Sequence, residues 1–350
     1  MTTSRVALIG YGIGGSAFHA PFLATTPGLE LAAVVTRNPD RQASARERYP
    51  TAEVVDDVAE LWRRAAEFDL VVVTTPNNTH APLARTALEH GLAVVVDKPF
   101  ATTSADARAL AGLAAERGLL LSVFHNRRWD GDFRTVRRLL AEGRVGRPLR
   151  FESRFERWRP RVKVSWKESD PADGGGILFD LGSHLIDQAM TLFGRPHRVY
   201  AEVLTRRAGA LVDDDVFVAL HHDDGVVSQL SMSAVAANLG PRFRLLGDAG
   251  AFVKDGMDPQ EDALRAGEEP GGPGWGEEPP EVWGRLGAGT EFELERTDPG
   301  AYQLYYAAVA EALANGGEPP VTAAEGVATL EVIEAAYASG RSGQVVTLTG

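Results

Sequence analysis

The stretch RVALIGYGIGG, Arg5 to Gly15, decides the reading of the first half of the chain. Arg5 to Ile9 is a short aliphatic run with the composition of a buried β-strand. It ends in Gly10-Tyr11-Gly12-Ile13-Gly14-Gly15, which matches G-x-G-x-x-G through Gly10, Gly12 and Gly15. The first glycine allows the tight turn, the second lets the backbone approach a pyrophosphate, and the third lets the following helix pack close to the strand. A helix from about Ser16 to Thr25 then aims its N-terminal amides at the phosphates. The motif alone is weak evidence, but here a strand precedes it and a second strand, Glu30 to Thr36, follows it. Gly10, Gly12, Ile13, Gly14 and Gly15 are therefore candidate dinucleotide contacts.

The end of that second strand bears on the choice of dinucleotide. NAD sites place an Asp or Glu there to bind the ribose 2′-hydroxyl. This chain reads Val34-Val35-Thr36-Arg37-Asn38, with no acid. Thr36 and Arg37 can both donate to a 2′-phosphate, and Arg41 lies one helical turn further on. The pattern favours NADP over NAD. The α/β alternation continues through helices at 41–48 and 57–66, a strand Leu70 to Thr74, a helix to His90, a strand Ala93 to Val96, a helix 104–117 and a strand Leu119 to Phe124. That is a doubly wound parallel sheet, whose ligands lie at the carboxyl ends of its strands. Thr75, Pro76, Asn77 and His80 sit in one such strand-end loop. Asp97, Lys98 and Pro99 sit in another, and Asn126 and Arg127 follow the last strand. Lys98 stands out because the chain holds only four lysines against 32 arginines. A lysine can be tuned to exchange a proton, whereas arginine cannot.

The totals set limits. A chain of 350 residues suggests two domains. No apolar run approaches the roughly 20 residues of a membrane span, and the apolar start lacks the flanks of a signal peptide. There are no cysteines, so disulfides and thiolate chemistry are excluded and a cytoplasmic setting is expected. A net charge of −12 argues against nucleic acid as a partner. The charge is uneven: thirteen acids face three arginines between Asp255 and Asp298, whereas fourteen bases face five acids between Arg127 and Lys167. These segments are either two solvated surfaces or partners for each other.

The second half centres on GGGILFDLGSHLIDQ, Gly174 to Gln188. Asp180 and His184 are four residues apart, which on a helix puts both on one face. Such a pair can do acid–base work, form half of a metal site, or only cap and pack. A helix to about Glu142 leads to Gly146-Arg147-Pro148, and a strand Leu149 to Arg157 opens a second sheet. Further strands are expected at 197–205, 216–222, 226–234, 242–246 and 345–348, with helices at 301–314 and 323–339. His221 and His222, adjacent on a strand, face opposite sides and cannot share a metal. They are expected at the surface. Residues 266–290 have no periodicity, and Trp275, Val282 and Trp283 suggest an anchored excursion.

Taken together, GYGIGG, the TTPNNTH loop, DKP in place of the usual E-K-P, and the helix GGGILFDLGSH resemble the Gfo/Idh/MocA family of oxidoreductases. The resemblance implies an α/β fold with an N-terminal Rossmann domain, placed here at 1–125. It also implies a substrate-binding and dimerisation domain, at 126–350, of α+β type with a large, mainly antiparallel sheet. The stretches SVFHNRRWDGDF (122–133), DGMDPQEDALRAG (255–267) and PGWGEE (273–278) are similar to the branch containing NADP-dependent scyllo-inositol dehydrogenases. Carried over residue by residue, the resemblance implies that Lys98, Asp180 and His184 are catalytic. It adds Trp166 and Lys167 at the cofactor's edge. Asp97 departs from the pattern, being one methylene shorter than the usual Glu. The Lys98–Pro99 bond could be cis.

The expected function is hydride transfer between NADP(H) and a hydroxyl-bearing or ketone carbon of a small cyclic polyol such as scyllo-inositol or its inosose. His184 would move the hydroxyl proton, Asp180 would bind a neighbouring hydroxyl, and Lys98 would stabilise charge on the substrate oxygen, with no metal required. The alternatives are another sugar as substrate, or a non-catalytic dinucleotide-sensing regulator, which would be expected to have lost part of this catalytic set. A homo-oligomer, a dimer or larger, is expected, with no membrane or nucleic-acid partner.

Overall fold

The computed structural model describes residues 3–162 and 173–348. Two compact units emerge: one of Met1–Asn126, Gln260–Trp275 and Ala301–Val327, the other of Arg127–Pro259, Gly276–Gly300 and Ala328–Gly350. The chain thus passes between them five times, and the passage after Asn126, near the expected 125/126 boundary, is the first.

The first unit is built on six parallel strands: β1 Ser4–Ile9, β2 Leu29–Val35, β3 Glu53–Val55, β4 Leu70–Val73, β5 Ala93–Asp97 and β6 Leu121–Phe124. Their order is β3-β2-β1-β4-β5-β6, with every neighbouring pair parallel. Helices cover a sheet of this kind on both faces, so its central strands read as unbroken apolar runs. Val6, Ala7, Leu8 and all of β4 are fully buried accordingly. The strand order reverses between β2-β1 and β4-β5, which places the carboxyl ends of β1 and β4 side by side at the crevice where such folds bind ligands. β3, a strand of only three residues, is not among the strands expected from the sequence. Within this unit the segment Gln260–Trp275 forms the helix Gln260–Ala266, whose Arg265 guanidinium lies over the Phe18 ring at 5.9 Å.

The second unit is built on nine strands: β7 Pro148–Glu156, β8 Arg198–Leu204, β9 Asp215–His221, β10 Val227–Ser233, β11 Phe243–Gly247, β12 Ala251–Lys254, β13 Gly284–Ala288, β14 Glu291–Glu295 and β15 Val346–Thr347. The order is β14-β13-β12-β11-β7-β10-β9-β8-β15. Only the β7–β10 pair is parallel, so the sheet is mainly antiparallel, as expected. Strands β9 and β10 alternate buried and half-buried residues, the signature of a sheet packed on one face. The expected excursion at 266–290 partly joins this sheet, as β13. Trp275 is buried and donates to Gln260 Oε1, and Trp283 donates to Glu278 O. Val282 is 45% exposed and anchors nothing. His222, expected at the surface, is buried between Gly194 O and Ser228 Oγ.

The two oppositely charged segments meet inside this second unit. Arg138 reaches Glu295 at 2.9 Å and Asp298 at 3.1 Å, and Arg144 reaches Glu295 at 3.6 Å. Arg134 donates to Pro299 O. The helix Gly131–Ala141 is thereby tied to the chain that follows β14. Because Arg138 serves several acceptors from one partly buried position, Arg138→Ala should lower unfolding stability by about 1–2 kcal/mol, more than an isolated surface pair. Urea unfolding with an unchanged midpoint would refute this.

Candidate active site

At the carboxyl edge of the first sheet, the glycines divide the work. Gly10 has φ +101°, a backbone conformation that L side chains rarely adopt, and a Cβ there would lie 2.4 Å from Thr74 O. A Cβ on Gly15 would lie 2.2 Å from Gly10 O. These two positions close the turn on itself and on β4. A Cβ on Gly12 would meet nothing nearer than the Arg41 guanidinium, at 3.7 Å. Internal packing therefore does not demand the second glycine. The open cradle fits the pyrophosphate of a dinucleotide, and the residues present fit that group. The helix behind it opens with a π-helical segment, Gly14–His19, before the α-helix Ala20–Thr25. Segments of this kind are frequent at functional sites.

The difference predicts two distinct defects. Gly15→Ala should cost at least about 2 kcal/mol or prevent folding, because backbone must move to admit the methyl. Gly12→Ala should keep near-native stability and lose dinucleotide affinity. Thermal unfolding alongside dinucleotide fluorescence titration would show it, and equal loss of stability in both variants would contradict it.

The neighbouring loops are held by side chains that sequence reasoning had assigned to the cofactor. His80 is buried, with Nδ1 2.8 Å from Pro99 O and Nε2 2.9 Å from Thr75 O. Both ring nitrogens face backbone, so the imidazole joins the β4 loop to the β5 loop. Burial pushes its pKa down, while Asp97 and the two carbonyls act the other way without overcoming it. Thr75 Oγ1 lies 2.6 Å from Thr79 Oγ1, and Thr79 Oγ1 donates to Pro76 O. Asn77 is buried in the same turn and Pro76 is exposed. Ile13 is 61% exposed beside the glycines. Thr36 is buried at the end of β2, its amide bonded to Val55 O, and Arg37 is exposed next to it.

Asp97 Oδ1 accepts the Lys98 amide at 2.7 Å, and Oδ2 accepts from Thr74 Oγ1 at 3.2 Å. The Lys98–Pro99 bond is cis. Burial alone would raise the Asp97 pKa. The facing His19 imidazole, Lys98 and His80 outweigh it and hold the carboxyl below its usual range. A depressed carboxyl stabilises the fold above its unfolded pKa, about 4, and that stability is lost as pH falls through the folded value. Asp97→Asn should therefore flatten the acid side of the stability profile below about pH 4. An acid limb identical to the parent's in urea unfolding would count against the carboxylate.

In the second unit, Asp180 lies in a π-helical segment, Leu178–Gly182, and His184 in the helix Ser183–Phe193 that continues it. His184 is 6% exposed and Asp180 half-buried. Spacing of four along a uniform α-helix was the basis for placing them on one face, and the π-helical segment changes that register. The start of this helix is set by a residue the sequence did not single out. Asp213 Oδ2 accepts the Leu178 amide at 2.8 Å, Asp213 Oδ1 accepts from Tyr337 Oη at 2.7 Å, and Asp213 O accepts the Ile177 amide. Burial raises the Asp213 carboxyl above its usual range, partly offset by the Tyr337 and backbone hydrogen bonds. Gly176, at φ +108°, is required because a Cβ would lie 2.2 Å from Asp213 Oδ1. The signal available in sequence was Asp213-Asp214-Asp215 running into an apolar strand.

Further along the helix, Asp187 takes Arg128 in a two-pronged pair, 2.9 Å to Nε and 2.6 Å to Nη2. Gln188 donates to Arg127 O and accepts from Arg242. Arg127 itself sits 3.3 Å from Asp130 and 4.9 Å from the Phe155 ring centroid. Burial pushes the Asp130 carboxyl well above its usual range, against the pull of Arg127. Asn126, 5% exposed, ends the first segment of the other unit. Trp166 and Lys167 lie outside the described residues. Among the described residues no three His, Asp or Glu side chains gather as a metal-ligand set, and no helix is long and apolar enough to cross a membrane.

A parallel sheet with a glycine cradle at its crevice, and a second unit carrying a carboxylate–imidazole helix, define a dinucleotide-dependent oxidoreductase. Residues 4–125 match the oxidoreductase family's NAD-binding Rossmann fold and residues 137–348 its C-terminal alpha/beta domain. The chain belongs to the Gfo/Idh/MocA family of oxidoreductases. It is 42% identical over 347 residues to the uncharacterized oxidoreductase YdgJ of Escherichia coli, covering 96% of each chain. It is 37% identical over 350 residues to IolW of Bacillus subtilis, a scyllo-inositol 2-dehydrogenase (NADP(+)), covering 99% of this chain and 96% of IolW. The solved structure of the oxidoreductase YvaA of Bacillus subtilis superposes with a TM-score of 0.92 at 35% identity, covering 99% of this chain and 100% of that one.

Proposed function

We propose that the protein is an NADP(H)-dependent dehydrogenase of a small cyclic polyol, interconverting a ring hydroxyl and the corresponding ketone, with scyllo-inositol and its inosose as the reference pair. The observation that carries the dinucleotide preference is the end of β2. Thr36 and Arg37 stand where NAD sites carry an acid, and the Arg41 guanidinium lies beside Gly12. Three donors and no carboxylate suit a 2′-phosphate. The similarity to IolW supports both the dinucleotide and the substrate class. A substrate that is a different sugar is the second reading, favoured if polyol rings are not turned over.

The glycine turn Gly10–Gly15 would hold the pyrophosphate. The turn Thr75–Asn77 and the residues Asp97, Lys98 and Asn126 would border the nicotinamide half, with Arg127, Trp166 and Lys167 as further candidates. When bound, the nicotinamide supplies the two-electron chemistry as a hydride acceptor or donor. The chain's own groups manage the proton and the charge. His184 takes the substrate hydroxyl proton during oxidation and returns it during reduction. Asp180 binds an adjacent hydroxyl of the substrate. The Lys98 ammonium stabilises negative charge building on the substrate oxygen. Water and bulk ions do this poorly, because they must reorganise as the charge develops. The enzyme is further proposed to act in the cytoplasm as a homo-oligomer through the second unit's large sheet.

A panel of inositol isomers and sugars, assayed with NADP and with NAD by absorbance of the reduced dinucleotide, tests this. The expected result is turnover of scyllo-inositol with a kcat/KM for NADP at least tenfold above that for NAD. Turnover with NAD alone would refute the reading of Thr36, Arg37 and Arg41, and turnover of sugars but not inositols would move the substrate to the second reading. Lys98→Ala should reduce kcat by about 100-fold or more if the ammonium acts on the reacting oxygen.

A further inference from the structure

His19 is fully buried, yet its Nε2 has no hydrogen-bond partner. A buried polar atom in that state needs a compensating interaction. The ring closes the π-helical segment Gly14–His19 directly behind the glycine turn. Nδ1 is 2.5 Å from Tyr306 Oη, carried by the helix Gln303–Asn315 of the same unit. Nε2 points at Asp97 Oδ2 from 3.6 Å, an electrostatic contact longer than a hydrogen bond. The ring face rests on Phe124 with centroids 4.2 Å apart. Tyr306 is held as a phenol by burial, which pushes its pKa well up. Its hydroxyl can donate to Nδ1, and a ring N–H on Nε2 would then face the carboxylate.

The acid that receives this contact is the one that departs from the family pattern. Asp97 stands where a longer Glu is usual, and its short side chain folds back so that Oδ1 takes the Lys98 amide at 2.7 Å. The Gly14 position confirms how tightly these parts fit: a Cβ there would lie 2.5 Å from Thr74 Oγ1 and 3.1 Å from Asp97 Oδ2.

We propose that His19, oriented by Tyr306, is a positioning residue for Lys98: it fixes the Asp97 carboxylate, and Asp97 fixes the strand-end backbone that presents the lysine. His19 touches neither substrate nor dinucleotide in this role. The groups facing Asp97 are His19 from the glycine-turn helix, His80 from the helix His80–Glu89, and Lys98 and Thr74 from the strand ends. Removing His19 withdraws the largest of the influences that hold Asp97 ionised. Burial then acts with less opposition, and the carboxyl takes up a proton at higher pH.

The inference rests on the proposed dehydrogenase reading and fails separately from it. The test compares the full-length parent with His19→Ala, His19→Gln and Tyr306→Phe. Readouts are NADPH affinity by fluorescence titration, kcat and its pH profile, and thermal unfolding. His19→Ala should bind NADPH within threefold of the parent, lose at least tenfold in kcat, and show the acid limb of kcat displaced to higher pH. His19→Gln, whose amide can donate to Asp97 and accept from Tyr306, should recover kcat to within threefold. Tyr306→Phe should move the acid limb in the same direction with a smaller loss of kcat, and it decides the matter if His19→Ala does not fold. Unchanged kcat and pH profile in His19→Ala or in Tyr306→Phe would overturn the proposal. So would losses of kcat and NADPH affinity in proportion to lost thermal stability without recovery in His19→Gln. A parent protein that neither binds NADPH nor turns over any polyol or sugar would instead overturn the dehydrogenase reading.

Discussion

The contact on which the nucleotide side depends is the approach of Gly15 to the carbonyl of Gly10, where a single added methyl would sit 2.2 Å from backbone oxygen. That approach lets the helix start immediately behind β1. It brings the glycine-turn amides, the Thr74 end of β4 and the Asp97 end of β5 to one edge of the sheet. The parallel arrangement makes this unavoidable, because all six strands present their carboxyl ends on the same side. Everything chemical in the first unit is hung on that edge. His80 ties the β4 loop to the β5 loop through two carbonyls, and His19 and Tyr306 back the strand end that carries Lys98.

The second unit solves the same problem with other parts. The helix that carries Asp180 and His184 also begins after glycine and also opens with a π-helical segment. Here the cap is side chain rather than backbone: Asp213 accepts the Leu178 amide and is itself held by Tyr337. The far end of the helix is clamped by Arg128 on Asp187 and Arg242 on Gln188. Buried ion pairs of this kind often contribute little net stability, because desolvation opposes attraction. Asp187, three residues after His184, holds Arg128 in a two-pronged pair.

How much of this was legible in sequence follows from burial. β1, β2, β4 and β5 could be read because strands covered on both faces must be apolar throughout, and the glycine turn because its spacing has a steric cause. The partly or largely exposed strands β13 and β14 show no such run: Phe292 and Leu294 of β14 are 38% and 63% exposed. The catalytic candidates Lys98, Asp180 and His184 were found through residue type, spacing and resemblance. Their supports Asp213, Tyr337 and Tyr306 were not, since each acts across a long interval of chain that only the fold closes. Some residues of the stretches that resembled one branch of the family hold architecture. Asp258 accepts the Gly131 amide in front of the helix Gly131–Ala141, and Gln260 Oε1 accepts from both Trp275 and the Tyr302 amide.

The proposed mechanism has Lys98 and His184 act in one transition state. A double-mutant cycle on kcat/KM with Lys98→Met and His184→Asn measures this most directly, with NADPH affinity of each variant as the control for folding. If the two groups work on one transition state, the double variant should lose little more than the worse single variant. Losses that multiply, each substitution costing the same factor whether or not the other is present, would contradict the account.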